Sequence, residues 1–333
     1  MNLIIPMAGM GKRMRPHTLT IPKPLIKISG KSIVQLLIEE ISKSIDGKID
    51  EIAFVIGDFG KKIENELQDI AKNLGAKPSI YYQLDPLGTA HAIYCAKESL
   101  KGETIVAFAD TLFKGNISLN KSYDSIIWVK EVEDPSQFGV VKLGEKGQIV
   151  EFVEKPSNLI SNLAIIGIYF FKKGEELKEG IQHIIENKIV ASGEYQLTTV
   201  LENMVKDGKL MFPGKVDSWL DCGNKDATLN TNKEILKHSS PGKPGNIELI
   251  NSIIIDPCYI GNNVKIENSI IGPYVSLGND SMVCKSTIRN SIIQENSYID
   301  SKCLSNSMIG NHCHVIGKTD DLNIGDYSKI GSE

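Results

Sequence analysis

Ile254, Ile271 and Ile288 stand 17 residues apart in this chain of 333 residues. Around them apolar residues recur every five or six positions, at Ile260, Ile266, Leu277, Val283, Ile293, Ile299, Leu304, Ile309 and Val315. Gly and Asn gather between them, as in Ile260-Gly261-Asn262-Asn263. A constant coil length marks a β-solenoid, because each coil buries its inner face only against neighbouring coils. Just before this region the chain reads His238-Ser239-Ser240-Pro241-Gly242-Lys243-Pro244-Gly245-Asn246, a linker composition. The sequence therefore predicts three parts: a domain over 1–237, a linker over 238–246 and a solenoid over 247–333.

The first part alternates short apolar runs with longer amphipathic ones. Residues 3–7, 52–56, 79–83 and 104–109 are too short and too apolar for helices and read as strands. Ile33, Leu36, Leu37 and Ile41 recur at helical spacing, as do Ile63, Leu67, Ile70 and Leu74. This order predicts an α/β domain with a Rossmann-like, mainly parallel sheet and helices on both faces. Such sheets bind ligands at the carboxyl ends of their strands, where the loop after the first strand and Asp110 both lie. From Ser125 the pattern turns β-rich, with strands expected at 126–129, 139–143, 149–153 and 165–171. They are expected to form an insertion covering one side of the sheet. Helices return at 177–186, 197–205 and 226–236.

Composition excludes several classes. The chain is 41% hydrophobic and 23% charged, which is ordinary for a globular protein. Its net charge is −4, from 37 basic and 41 acidic residues, against the basic excess of a general nucleic-acid binder. No apolar run reaches the roughly 18 residues of a membrane span. The N-terminal apolar run lacks a basic leader, so no secretory signal is expected. The six cysteines Cys95, Cys222, Cys258, Cys284, Cys303 and Cys313 never fall in C-x-x-C spacing. They read as small apolar residues of a reduced, cytoplasmic protein.

The densest local signal is Ala8-Gly9-Met10-Gly11-Lys12-Arg13-Met14-Arg15-Pro16. Two glycines let backbone approach a phosphate chain, and Lys12, Arg13 and Arg15 concentrate positive charge. A dinucleotide fingerprint needs a third Gly where Met14 stands, and a P-loop needs Ser or Thr where Arg13 stands. Neither fits. A tight turn with a solvated basic face remains the alternative. Lys23 follows between Pro22 and Pro24, on a segment expected to be stiff and extended.

Gly9, Gly11, Arg13, Pro16, Lys23 and Pro24 match the G-x-G-x-R-x-x-P and Lys-Pro pattern of the sugar-1-phosphate nucleotidyltransferases. The resemblance continues in order through Tyr82-Gln83-x-x-x-Leu87-Gly88-Thr89-Ala90, Asp110, Phe138-Gly139-Val140-Val141 and Val153-Glu154-Lys155-Pro156. It closes with Ala164-Ile165-Ile166-Gly167-Ile168-Tyr169 and Trp219-Leu220-Asp221-Cys222-Gly223. Its wording is nearest to the long-form glucose-1-phosphate thymidylyltransferases. The near-six repeat at the C-terminus likewise resembles the left-handed β-helix of hexapeptide proteins.

The resemblance implies transfer of a nucleotidyl group from dTTP or UTP to a sugar 1-phosphate, most simply glucose 1-phosphate, with release of pyrophosphate. It implies a nucleotide site at Ala8, Gly9, Gly11, Lys12, Arg13, Gln83, Gly88, Thr89 and Asp110. It implies a sugar-phosphate site at Gly139, Glu154, Lys155 and Ile165, and Mg²⁺ at Asp110 and Asp221. The chemistry suits these residue types. Arg13 can bridge phosphate oxygens with its planar fork, and Lys23 can place a point charge at the α-phosphate. These two are the expected catalytic residues, and no protein nucleophile is needed. Gln83 offers the amide that a thymine or uracil imide pairs with. Read singly, Asp110 can also be a turn residue and Gln83 a surface residue at a strand end.

Thr111 stands where the thymidylyltransferases commonly carry Asn, and Gln196-Leu197-Thr198-Thr199 where they carry Glu-Ile-Thr-Asp. Both departures bear on the sugar rather than on the reaction. Two other functions compete. A scaffold that lost catalysis would not keep Arg13, Lys23, Asp110, Lys155 and Asp221 together. An acyltransferase would use His312 or His314 as a base, where a histidine in a coil turn is the simpler reading. Exposed solenoid flanks favour packing between copies, so a homo-oligomer is expected.

Overall fold

Every residue of β1 (Asn2–Pro6) is buried, which explains its unbroken apolar run. The computed structural model describes residues 1–9, 11–117, 119–156, 158, 160–238 and 246–318. After β1 come α1 (Ile33–Ser44), β2 (Glu51–Ile56), α2 (Lys61–Asn73), β3 (Lys77–Tyr82), α3 (Thr89–Cys95) and β4 (Thr104–Ala107). Next are β5 (Thr111–Lys114), β6 (Ser125–Glu131), β7 (Gly139–Leu143), β8 (Ile149–Glu154) and β9 (Leu163–Phe171). The series ends with α4 (Gly174–Glu186), α5 (Leu197–Lys206), β10 (Met211–Lys215), β11 (Ser218–Asp221) and α6 (Lys225–His238). Two compact units emerge, Met1–Lys27 with Lys31–Thr228, and Ile28–Gly30 with Leu229–Glu333. The expected linker lies almost wholly outside the described residues.

The first unit is built on a nine-stranded sheet in the order β8-β7-β9-β4-β1-β2-β3, with β6 beside β9 and β10 beside β6. Strands β3, β2, β1 and β4 run parallel, as the strand–helix alternation predicts. Ile4, Ala53, Val55 and Val106 share one core with Ala90, Ile93, Leu177, Ile181, Val200 and Leu201 from α3, α4 and α5. By strand alternation Leu3, Ile5 and Phe54 face the other side. Helix α1 starts where the Ser32 hydroxyl accepts from the Gln35 N–H at 3.3 Å, and it buries Ile33, Val34, Leu37, Ile38 and Ile41.

Two expectations are corrected here. The strand predicted over 104–109 ends at Ala107: Phe108 N–H still donates to Gly167 O, and Thr111 N–H then donates to Phe108 O at 3.3 Å as the chain turns. Asp110 therefore lies in the turn before β5. The β-rich stretch does not cover the sheet; it lengthens it. Strand β9 pairs antiparallel with β4 through Ile168–Phe171 and with β7 at Ala164. Its register against β6 shifts between Ile165 and Tyr169, which lets one long strand serve these neighbours.

The second unit contains the left-handed β-helix. Its inner residues Ile266, Ile271, Val283, Ile288, Ile293 and Ile299 are fully or almost fully buried. Parallel ladders form three faces, one running Ile247–Ile250, Val264–Glu267, Met282–Cys284, Tyr298–Asp300 and His314–Ile316. The 17-residue step from Ile254 to Ile271 to Ile288 becomes 16 from Ile288 to Leu304. The cause is a corner: Gly272-Pro273-Tyr274 precedes Val275, whereas only Arg289-Asn290 precedes Ser291. Serine hydroxyls accept the next coil's amide at the corners. Ser269 N–H donates to Ser252 Oγ at 3.1 Å, Ser286 N–H to Ser269 Oγ at 3.0 Å and Lys302 N–H to Ser286 Oγ at 3.0 Å.

Asn263, Asp280, Asn296 and His312 share one of the corners where φ is positive, at 54°, 56°, 56° and 55°. That gives His312 a turn role, and His314 lies 5.8 Å from the Tyr298 ring on the outer face. Asn232 accepts from Ser276 Oγ at 2.6 Å and Ser29 N–H donates to the same hydroxyl at 3.2 Å, so residues 28–30 belong to this unit. Ile288→Ala should lower stability by about 2–5 kcal/mol through an unfilled cavity, measured by urea unfolding of the full chain.

Candidate active site

The loop after β1 leaves the sheet once Met7 N–H has donated to Val55 O at 2.8 Å. Gly11 has φ +59 and opens a 3-10 turn over Lys12–Met14. A Cβ on Gly11 would lie 2.9 Å from Lys23 Cβ, so glycine is required both by conformation and by space. The Gly11 carbonyl is fixed by Thr18 Oγ1, which donates to it at 2.9 Å. Around Gly9, by contrast, a Cβ would meet nothing within 4 Å. Backbone there is free to be approached by a ligand.

Ala8, Gly9, Gly11, Lys12, Arg13, Lys23, Gln83, Gly88, Thr89 and Asp110 line one cavity of about 430 Å³. The fold thus gathers ten expected site residues from the ends of β1, β3 and β4 and the start of α3. The volume lies within the usual range of small-molecule sites. Phe108, Glu194 and Gly223 also line it.

Lys23 departs from the expected extended segment. It begins a 3-10 turn over Lys23–Leu25, in which Pro24 costs nothing because a first turn needs no N–H from it. Lys23 is 6% exposed, and its Nζ lies 3.1 Å from Asp110 Oδ2. Asp221 ends β11, in antiparallel register with Thr111 of β5, next to Asp110. Burial pushes the Asp221 carboxyl above its ordinary pKa. Lys23 opposes that shift, Asp110 reinforces it, and the Gly223 N–H and Arg13 oppose it. Gly223 N–H donates to Asp221 Oδ1 at 2.9 Å.

Such a half-buried pair of carboxylates suits a divalent cation. Mg²⁺ takes one or two protein carboxylates and completes its shell with phosphate oxygens and water. Among the described residues no group of three or more His, Cys, Asp or Glu gathers as a metal cage. The donor set therefore fits a metal shared with a phosphorylated substrate. Of the two other carboxylates close by in sequence, Asp217 precedes β11, at the opposite end of the strand from Asp221, and Asp226 pairs with Lys225 at 3.2 Å.

The expected sugar residues form a second cluster, outside the lining of the cavity. A Cβ on Gly139 would meet Glu154 Oε2 at 3.2 Å, Ile165 Cδ1 at 3.4 Å and Thr198 Cγ2 at 3.4 Å. Thr198 Oγ1 donates to Glu154 Oε2 at 3.3 Å. Lys155 is held at φ +43, with its N–H donating to Phe138 O at 3.0 Å. The Trp219 ring meets Phe138 edge-on, with centroids 4.9 Å apart.

Sequence reasoning missed α3, and with it His91. Gln83 Nε2 lies 3.1 Å from Gly88 O and 3.1 Å from His91 Nδ1. The signal was there, since Ala90, Ile93 and Ala96 recur at helical spacing and all are buried. Glu194 and Thr198 were missed because they approach only through the fold. Gly88 explains their arrival: at φ +118, its Cβ would lie 2.5 Å from Tyr195 O. Thr89 Oγ1 donates to Gln196 Oε1 at 3.3 Å and accepts from Leu197 N–H at 2.9 Å. Thr111 is occupied too, donating to Ile166 O at 2.7 Å.

Residues 3–238 match the model of the nucleotidyl transferase family. The chain belongs to that family. It is a nucleotidyltransferase. A bifunctional protein GlmU of Methanococcus maripaludis is 32% identical over 278 residues, spanning 82% of this chain and 62% of that protein's length. A glucose-1-phosphate thymidylyltransferase of Streptomyces antibioticus is 27% identical over 361 residues, spanning 99% of each. A solved UDP-glucose pyrophosphorylase complexed with UDP-glucose superposes with a TM-score of 0.58 at 26% identity, over 72% of this chain and 99% of that one. Among the described residues no helix is long and apolar enough to cross a membrane.

Gly11→Ala should lower stability by about 1–2 kcal/mol, because it forces a side chain into the left-handed region against Lys23. Denaturant unfolding of the purified variant measures it.

Proposed function

We propose that the chain transfers a nucleoside monophosphate from dTTP or UTP to glucose 1-phosphate, giving a nucleotide sugar and pyrophosphate. The observation that carries this reading is the cavity joining the Gly9–Gly11 loop, Arg13, Lys23, Gln83 and Asp110. Arg13 and Lys12 hold the triphosphate's outer oxygens, beside backbone supplied by Ala8, Gly9 and Gly11. Lys23 neutralises charge at the α-phosphate as the sugar phosphate oxygen attacks and pyrophosphate leaves. Asp110 and Asp221 would hold Mg²⁺, which supplies Lewis-acid stabilisation of phosphate charge when bound.

Gln83 reads the base. Its amide nitrogen is held by Gly88 O and His91 Nδ1, leaving the carbonyl oxygen to accept from a base. Uracil and thymine offer an N3–H at that edge, and cytosine offers an acceptor instead. Lys155 binds the incoming sugar phosphate, while Glu154 accepts from sugar hydroxyls beside Gly139 and Ile165. Thr89 shapes the nucleotide site and ties it to α5 through Leu197.

A second reading is a UTP-dependent transfer to a related sugar 1-phosphate. It is favoured by the solved neighbour holding UDP-glucose. Assembly of copies through the β-helix belongs to the same proposal, and sedimentation of the intact chain tests it. Pyrophosphate release with Mg²⁺, dTTP or UTP and a panel of sugar 1-phosphates decides between the two readings. Turnover with glucose 1-phosphate supports the first, and turnover confined to UTP and another sugar 1-phosphate the second. Lys23→Met should cut kcat by roughly 10²–10³-fold with a smaller change in KM, as for loss of one preorganised charge. Asp110→Asn should lose activity and respond far less to added Mg²⁺, in steady-state assays across metal concentration.

A further inference from the structure

Gln83 carries the base-reading amide, yet an amide can present either its oxygen or its nitrogen to a ligand. One neighbour fixes the choice. Gly88 O is a backbone carbonyl and only accepts, so the Gln83 group 3.1 Å from it must be the nitrogen. That nitrogen has two hydrogens. The second meets His91 Nδ1, also at 3.1 Å. Nδ1 can accept only when it is unprotonated, so the ring must be neutral with its hydrogen on Nε2. Gln83 lines the cavity, and its oxygen is the atom left for the base.

We propose that His91 is a positioning residue that fixes the orientation of the Gln83 amide and thereby sets the enzyme's choice of base. The inference rests on the pyrimidine reading given above and deepens it. His91 touches no substrate; it acts through Gln83. With the oxygen held outward, the site accepts the N3–H of uracil or thymine and opposes the N3 lone pair of cytosine. A rotated amide offers NH₂ instead and pairs with cytosine N3. His91 and Gly88 O together hold the nitrogen inward, so losing His91 leaves a single restraint. The half-buried setting of His91 agrees, since burial lowers its pKa against the opposing charge of Asp85 and keeps the ring neutral.

His91 reaches this place through the fold. Helix α3 begins directly after the Gly88 turn, so residue 91 comes back over the end of β3. The helix itself is anchored by Ala90 N–H donating to Tyr195 O at 2.9 Å and by the Thr89 contacts to residues 196 and 197. These restraints hold the imidazole rather than leaving it to solvent.

The test compares wild type, His91→Leu and His91→Asn with UTP, dTTP and CTP, each with glucose 1-phosphate and Mg²⁺. Asn places an acceptor oxygen near the position of Nδ1, and Leu places none. In His91→Leu the ratio of kcat/KM for UTP over CTP should fall about five- to tenfold, the factor one ordinary hydrogen bond carries. The fall should come chiefly from a raised KM for UTP. His91→Asn should recover most of the ratio. ¹⁵N-histidine NMR of the wild-type protein should show Nδ1 as the unprotonated nitrogen at neutral pH, a result independent of whether His91→Leu folds. An unchanged ratio in His91→Leu, a failure of Asn to do better than Leu, or a protonated Nδ1 overturns the proposal. Absence of turnover with both UTP and dTTP in wild type overturns the pyrimidine reading itself, and the inference with it. Normal wild-type turnover with an unchanged variant ratio overturns the inference alone.

Discussion

A buried lysine beside two carboxylates is the constraint around which the first unit's site is organised. A lysine at 6% exposure is costly unless an anion lies near, and Asp110 at 3.1 Å supplies one. Asp221 is brought to the same place by the β5–β11 pair, which joins stretches about a hundred residues apart in sequence. Lys23 in turn fills the space beside Gly11, so the loop after β1 can only be glycine there. Loop, lysine and carboxylates form one interdependent group. Change any one and the others lose either charge balance or room.

A second link connects the cavity with the sugar cluster. Residues 195–198 touch Gly88, Thr89 and Glu154 in turn, through Tyr195, Gln196, Leu197 and Thr198. Four consecutive residues thus register the expected nucleotide side against the expected sugar side. The sequence departs from the thymidylyltransferase wording in this very segment, at Gln196-Leu197-Thr198-Thr199. A substitution in this segment would therefore touch both sides at once.

Strands buried on both faces were the most legible part of the chain. Residues 3–6 and 52–56 are apolar throughout because parallel neighbours and helices cover them completely. Strands β10 and β11 were not legible. Pro213 and Gly214 interrupt the first, and polar Ser218 and Asp221 bound the second. Helix α3 is only seven residues long, so the helical spacing of Ala90, Ile93 and Ala96 spans too little chain to stand out. The motif residues of the cavity could be read because their chemistry is written in short local patterns. His91, Glu194 and Thr198 could not, since their roles arise from contacts between segments that sequence spacing does not reveal. The 16-residue coils were missed for a simpler reason: dropping one corner residue leaves the inward apolar positions in phase.

The serine corners of the β-helix have a consequence of their own. Each hydroxyl of Ser252, Ser269 and Ser286 receives the amide of the coil that follows. The fold thus asks little of each coil: branched apolar residues inward, and hydroxyls and residues tolerant of positive φ at the bends. Its outer positions, such as Ile253, Ile270, Thr287 and Cys303 along one face, carry no comparable demand. Natural drift can therefore redecorate that outer wall while the stack beneath stays intact. The solenoid works as a ruler whose markings can be rewritten without changing its length.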